Sequence, residues 1–296
     1  MSYYAVFDVG GTRTKFGLMT EDGMLMESGD YATDCTHLDL FLQAMVEVIR
    51  DFQQNWTLEG IAISLPGFVD SSTGYTEFAG AITALNRQNI KTLLEKKTAL
   101  RVEVENDANC AALAEKFSGH GVDCQSFICM TIGTGIGGGI FVGGQLVRGA
   151  TFRGGEFGMM LNESANGQFT TLNGSASTAG LIRSYKAYKS IPHHVHVDGK
   201  EVFEEAERDQ AVQQLIDQWY KRLAIGIYNL ATVLNPEKIL IGGGVSIRED
   251  LIKQLHARLN ALHSWKDIEV KIEPCKYLNQ AGMIGALYHY LLKEKE

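Results

Sequence analysis

One arrangement occurs twice in this 296-residue chain. A buried-strand pattern runs into a glycine turn, and a further strand pattern returns from it. The first copy is Tyr3 to Val9, turning at Asp8-Val-Gly-Gly-Thr12 and continuing through Arg13 to Thr20 and Leu25 to Tyr31. The second is Ser126 to Ile132, followed by Gly133-Thr-Gly-Ile-Gly-Gly-Gly139, Ile140 to Val142 and, after Gly143-Gly144, Gln145 to Val147. Strands joined by such short turns form antiparallel meanders. The repetition is one of pattern, not identity. Helix- and strand-type periodicities alternate after each copy, so the chain is expected to form two α/β halves with a boundary near 118–125.

The remaining elements follow from spacing. Leu38, Phe41, Leu42, Met45, Val48, Ile49 and Phe52 recur at three- and four-residue steps and predict an amphipathic helix. Leu58 to Leu65 predicts a strand stopped by Pro66-Gly67. A polar loop region with a turn at Ser72-Thr-Gly74 comes next, then a helix near Asn89 to Lys97. Residues 150–208 look irregular and insertion-like. Val212 to Leu234 predicts a long helix, Lys238 to Ile241 a strand, Ile247 to Leu262 a helix, Ile268 to Ile272 a strand and Gln280 to Leu292 a closing helix.

Charge and cysteine usage narrow the function classes. The net charge of -8 speaks against broad binding to nucleic acid or acidic membranes. Cys35, Cys110, Cys124, Cys129 and Cys275 include no C-x-x-C pair, so mostly buried thiols in a reducing cytoplasm are expected. No apolar run reaches the roughly 18 residues of a membrane span. The first residues lack the basic region of a signal peptide. His193-His194-x-His196 has no cysteine or paired carboxylate at ligand spacing, which favours surface histidines over a metal site.

The chemistry-bearing residues sit at strand ends. Val102 and Val104 alternate with polar neighbours as in a short half-buried strand, and small helix-forming residues begin at Ala108. Asn106 and Asp107 therefore stand where a strand feeds a helix. An acid there is either an N-cap or a carboxylate positioned at the mouth of an α/β cleft. The Asp8 turn suits phosphate, with glycines that let backbone amides approach, a Thr12 hydroxyl, and a carboxylate able to hold Mg²⁺ directly or through water. It could equally be an ordinary hairpin turn. Five glycines in seven residues, Gly133 to Gly139, would be entropically costly in a purely structural loop. They contain a literal G-x-G-x-x-G, but a hairpin pattern follows where a dinucleotide site needs a helix. No Walker A sequence and no V-A-I-K or D-F-G partner is present. A second phosphate-facing hairpin is the reading that remains. Ile241-Gly-Gly-Gly-Val245 is either a floor for a nucleotide or a tight βα turn. Glu156, set between glycines in Gly154-Gly-Glu-Phe-Gly158, is either a ligand for a hydroxyl-rich molecule or a solvated loop acid.

In this order the motifs resemble the ROK family of bacterial sugar kinases. The resemblance spans almost the whole chain: Asp8-Val-Gly-Gly-Thr12, Ser64-Leu-Pro-Gly67, Glu105-Asn-Asp-Ala-Asn109, Thr131 to Gly139, Gly154-Gly-Glu-Phe-Gly158, Gly226-x-x-Asn229-Leu with Asn235-Pro236, Ile241-Gly-Gly-Gly244 and Ala281-Gly-x-x-Gly285-Ala. It implies a two-lobed actin-like ATPase (ribonuclease H-like) α/β fold, each lobe a mixed sheet with flanking helices. Residues 1–120 with about 280–296 would form the N-terminal lobe. Residues 121–279 would form the other, with the adenosine site and a homodimer interface. By the same resemblance Asp107 is the catalytic base. Asn106, Glu156, Gly67 and the Met159 position face the sugar. Asp8, Gly10, Gly11, Thr12, Thr131, Gly133, Thr134 and Gly135 hold ATP phosphates, Gly243 and Gly244 border the adenosine, and Asp8 carries Mg²⁺.

Two departures bear on the substrate. The family's zinc-binding histidine is replaced by Met159, and its cysteine cluster by Thr171-Leu-Asn-Gly-Ser-Ala-Ser-Thr178. Zinc is thus expected to be absent, as in the branch that includes β-glucoside kinases, where the anomeric substituent needs room. The first strand begins at Tyr3, so the helix-turn-helix of the family's repressors is not expected. The expected reaction is phosphorylation of a primary hydroxyl, O6 of a hexose or β-glucoside, by ATP and Mg²⁺ in the cleft between the lobes of a cytoplasmic enzyme. The alternatives are an N-acetylmannosamine or other amino-sugar kinase, a glucokinase or fructokinase, a non-catalytic sugar sensor, and a dehydrogenase using Gly133 to Gly138.

Overall fold

A computed structural model describes residues 2–163 and 167–295. The chain forms two compact units. The first comprises Met1–Asp123, Leu146–Gly154 and Asn279–Glu296, the second Cys124–Gln145 and Gly155–Leu278.

In the first unit Tyr3–Val9 (β1), Arg13–Thr20 (β2) and Leu25–Ala32 (β3) form the expected meander. Helix α1 (Leu38–Gln53) follows, then β4 (Leu58–Leu65), parallel to β1. The predicted polar loop instead holds three short strands, β5 (Phe68–Asp70), β6 (Tyr75–Phe78) and β7 (Gln88–Asn89), paired into a small sheet. Strands this short leave too little alternation to read. After α2 (Ile90–Thr98), β8 (Arg101–Asn106) leads directly into α3 (Asp107–Ser118). The main sheet runs β3-β2-β1-β4-β8.

The second unit opens with β9 (Phe127–Ile132), β10 (Ile136–Val142) and β11 (Gln145–Leu146). A hairpin of β12 (Leu161–Glu163) and β13 (Phe169–Thr171) precedes helices α4 (Leu172–Ala176), α5 (Thr178–Lys189), α6 (Gly199–Glu205) and α7 (Gln210–Leu234). The stretch 150–208, expected to be irregular, is thus largely helical from 172 onward, with residues 164–166 outside the described residues. Side chains within the stretch cap its helices: Thr171 accepts from the Gly174 amide, Ser177 from that of Gly180, and Asp198 starts α6 with a capping box. Then come β14 (Lys238–Gly242), α8 (Leu251–Leu259) and β15 (Lys271–Pro274). The last two are shorter or later than their apolar spacing suggests. A 3-10 turn takes up Gly244–Ile247, and another buries Trp265 before the strand can begin. The sheet order β11-β10-β9-β14-β15 repeats that of the first unit, three antiparallel strands followed by two parallel ones.

The closing helix α9 (Ala281–Glu294) belongs to the first unit and packs on α3, β1, β4 and β8. The first sheet is therefore covered on both faces. Ala5, Phe7, Val9, Ile61, Ile63, Leu65, Val102 and Val104 join α1 and α2 in one core cluster. The alternate residues, Asp8, Ser64, Glu103 and Glu105 among them, lie on the α9 side. This corrects the half-buried reading of β8, since Glu103 and Glu105 are buried. Both are paired, Glu103 with Lys91 and Arg101, Glu105 with Arg148, as buried charges require. Among the described residues no helix is long and apolar enough to cross a membrane.

Candidate active site

Parallel pairing lines up the ends of the first sheet. Asp8 stands opposite Ser64 across β1 and β4, and Ser64 opposite Glu105 across β4 and β8. One residue further, Leu65 pairs with Asn106. The row Asp8–Ser64–Glu105 thus marks the carboxyl ends of three parallel strands, where α/β sheets bind ligands.

The cap at the start of α3 is Asn106, not Asp107. The Asn106 side-chain oxygen accepts from the amides of Ala108 at 2.9 Å and Asn109 at 3.0 Å. Its side-chain nitrogen donates to the Gly67 carbonyl at 2.9 Å and to Asp107 Oδ1 at 3.0 Å. The Asp107 carboxylate occupies the exposed first turn, and its Oδ1 also accepts from the Ala108 amide at 2.8 Å. Gly67 has φ +89°, and a Cβ there would run into the Phe78 carbonyl, so only glycine brings this carbonyl under Asn106.

Asp8 is half-buried. Ser64 Oγ donates to its Oδ1 at 2.9 Å, and Lys15 Nζ lies 3.9 Å from Oδ2. Burial pushes its carboxyl above the usual carboxylate range, while the Ser64 hydroxyl and Lys15 pull the other way. A cation would offset the desolvation of this carboxylate, so its setting fits Mg²⁺. Gly282, in the first turn of α9, packs against the same carboxylate, and a Cβ there would strike it. Gly11 and Thr12 are exposed at the tip of the β1–β2 turn.

In the second unit the glycine run divides. Gly133 and Gly135 lie in the turn, with open space where a Gly133 Cβ would be. Gly137, Gly138 and Gly139 are already in β10, paired with Thr131, Met130 and Cys129. Gly138 lies under the Phe157 ring and beneath Gly155. Three of the five glycines therefore belong to a strand, and only Gly133 and Gly135 lie in the open turn. Gly133, Thr134, Gly244, Val245 and Arg248 line one cavity of about 1020 Å³ with Phe203 and Trp219. Thr131 and Gly242 are paired at the ends of β9 and β14. Gly243, at φ +81°, sits against the Ile132 backbone and carries the chain towards Gly244.

Glu156 begins a 3-10 turn after Gly155, which has φ +89°. Met159 ends that turn and is 59% exposed. His193, His194 and His196 are exposed, and His193 and His196 also line the cavity. No group of three or more histidine, cysteine or acidic residues able to hold a metal occurs among the described residues. Sequence reasoning missed Arg148, whose Nε donates to Glu105 Oε2 at 2.7 Å, and Arg248, whose guanidinium lies 3.8 Å from the centre of the Phe203 ring at the cavity wall. Arg148 stands in neither a periodic element nor a glycine turn, and Arg248 fell within the helix expected over 247–262, so no local signal marks either as part of a site.

This fold and the kinases it resembles define a phosphotransferase whose acceptor is a hydroxyl group of a sugar. A family model described as "ROK family" matches residues 3–294, and the chain belongs to that family. A beta-glucoside kinase of Listeria monocytogenes is 39% identical over 98% of both chains. A beta-glucoside kinase of Klebsiella pneumoniae is 37% identical over 97% of this chain and 95% of its own. Among solved structures, a Listeria monocytogenes protein provisionally described as an N-acetylmannosamine kinase superposes with a TM-score of 0.88, at 38% identity and 99% coverage of each chain. Structural relatives of this kind have the actin-like, two-lobed ATPase fold expected from the sequence.

Proposed function

We propose that the protein is a β-glucoside kinase, transferring the γ-phosphoryl group of ATP to the 6-hydroxyl of a glucose unit that carries an anomeric substituent. The observation that carries this reading is near full-length identity of 37–39% to beta-glucoside kinases. The exposed Met159 supports it, since an apolar, flexible side chain replaces the family's histidine and leaves room at the anomeric side.

In this reading Asp107 accepts the proton of the attacking hydroxyl. Asn106, held by the Gly67 carbonyl and by the helix amides, orients the sugar with Glu156. The turns Gly10–Thr12 and Thr131–Gly135 hold phosphates, and Gly243 and Gly244 border the adenosine. Asp8 would hold Mg²⁺, whose charge offsets that of the phosphates when bound. Phosphoryl transfer depends chiefly on such positioning and charge compensation, with little covalent work for the protein.

Coupled ADP-release assays with cellobiose, glucose, fructose and N-acetylmannosamine test the assignment. Cellobiose is expected to give the highest kcat/KM, and a clear preference for N-acetylmannosamine would replace this reading with the amino-sugar alternative, which the description of the Listeria neighbour fits. No turnover with any sugar would favour the sensor reading. Asp107→Asn is expected to lower kcat by about 10²–10⁴-fold, the range of a general base, with sugar binding retained. Elemental analysis of the same protein is expected to find no stoichiometric zinc.

A further inference from the structure

Glu105 precedes Asn106 and Asp107 and has no role in the reading above. It is fully buried, with 0% exposure. Its Oε1 accepts from the backbone amide of Asn106 at 2.8 Å and from Asn109 Nδ2 at 3.0 Å. Its Oε2 accepts from Arg148 Nε at 2.7 Å. His289 is the remaining polar neighbour, its Nδ1 3.8 Å from Oε2. That Nδ1 also lies 3.4 Å from an Arg148 terminal nitrogen. Burial holds His289 neutral. Arg148 is thus the cation paired with the buried Glu105 carboxylate, whose other oxygen, Oε1, is turned towards the Asn106 amide.

The segment that brings Arg148 here does so twice over. It is the excursion Leu146–Gly154, which belongs to the first unit. The Gly154 amide donates to the Arg148 carbonyl at 2.8 Å and closes the excursion into a loop. At its far end Arg153 donates to Glu77 at 2.7 Å and lies over the Phe68 ring at 4.5 Å. Phe68 follows Gly67, whose carbonyl holds the Asn106 side chain. Besides the helix amides, Asn106 is thus anchored by the Glu105 carboxylate and by the Gly67 carbonyl. An arginine of the same loop stands behind or beside each.

A buried ion pair is seldom the cheapest way to fill space, because desolvation offsets most of its attraction. What this pair supplies is direction, a fixed carboxylate oxygen at the residue before Asp107. We propose that Arg148 is a positioning residue for phosphoryl transfer, acting through Glu105 to hold Asn106 and Asp107 in the reactive geometry. The proposal rests on Asp107 being the base.

Arg148→Ala and Arg148→Lys are the variants to compare, with kcat, KM for sugar and for ATP, the melting temperature and chemical rescue as readouts. In folded Arg148→Ala, kcat is expected to fall by about 10²-fold, the cost of a small misplacement of reacting groups, with KM for ATP unchanged. Added guanidinium should restore about tenfold or more, the size of one charge-assisted hydrogen bond. It should do nothing for the wild type or for Asp107→Asn. Arg148→Lys should fall between wild type and alanine, since it keeps the charge without the planar fork. Wild-type kcat in folded Arg148→Ala, or a loss that guanidinium does not restore, would overturn the proposal. If the alanine variant fails to fold, the lysine variant decides: a kcat equal to wild type refutes a need for guanidinium geometry. Normal turnover by Asp107→Asn would instead sink the base assignment, so the two failures are told apart.

Discussion

Asp8 and Asp107 are both acids at strand ends, yet their surroundings divide them. Asp107 is exposed and its neighbour does the capping, whereas Asp8 is half-buried with its carboxyl raised by desolvation. A folded-state value raised above the unfolded one, about 3.9 for Asp, means the native state binds the proton more tightly. That stabilisation is complete below the unfolded value and is lost as pH rises through the folded one. At neutral pH the Asp8 carboxylate therefore costs stability. Asp8→Asn is expected to raise the melting temperature at pH 7, with the gain fading as pH is lowered through the carboxylate range, while activity is lost. Thermal melts across pH check this, and an equal or lower melting temperature at pH 7 would refute it. At this scale the sequence disclosed residue types at turns, because Asp8, Asn106 and Asp107 stand where strands end. It did not disclose the partners of Glu105, because Arg148 and His289 lie 43 and 184 residues away and meet it only through tertiary packing.

Elements were legible where their apolar period was long. α1, α7 and α9 emerged within a few residues of their observed ends, as did β1, β2 and β4. The short strands β5 to β7 and the helices α4 to α6 did not, since their order comes from caps and from packing against α7 rather than from their own pattern. Glycine was the most ambiguous signal. In Gly133–Gly139 it serves both an open turn and a strand packed under Phe157. In α9 it serves contact alone: a Cβ on Gly285 would overlap the Cys110 carbonyl of α3. Gly285→Val is accordingly expected to cost about 2–3 kcal/mol or to prevent folding. Denaturant unfolding measures it, and wild-type stability would show that α3 and α9 can part without penalty.

At the scale of the molecule, the doubled meander foretold two α/β halves that each open on antiparallel strands, and the structure completes each as a five-stranded sheet of the same order. The family resemblance placed about 280–296 with the first half, but nothing in the sequence announced the third stretch of that unit, Leu146–Gly154. No local pattern records which sheet a helix will cover. The face of β1, β4 and β8 opposite α1 and α2 is completed by α9, with Ile284, Leu287 and Tyr290 buried there. A fragment of residues 2–123 is therefore expected to be insoluble or molten by itself. Residues 279–296 supplied as a peptide should restore a cooperative unfolding transition. Near-ultraviolet circular dichroism distinguishes the outcomes, and a cooperatively folded fragment without the peptide would refute the expectation.

The placement of α9 also sets a schedule for synthesis. Residues 119–280 separate the end of α3 from the start of α9, a stretch of 162 residues. At a translation rate of about 5–20 residues per second, the ribosome needs on the order of ten to thirty seconds to make them. Through that interval the sheet that carries Asp8, Asn106 and Asp107 has been made while its covering helix has not. The nascent chain thus presents an uncovered sheet face to chaperones and neighbouring polysomes until α9 has left the exit tunnel and can pack on β1, β4 and β8.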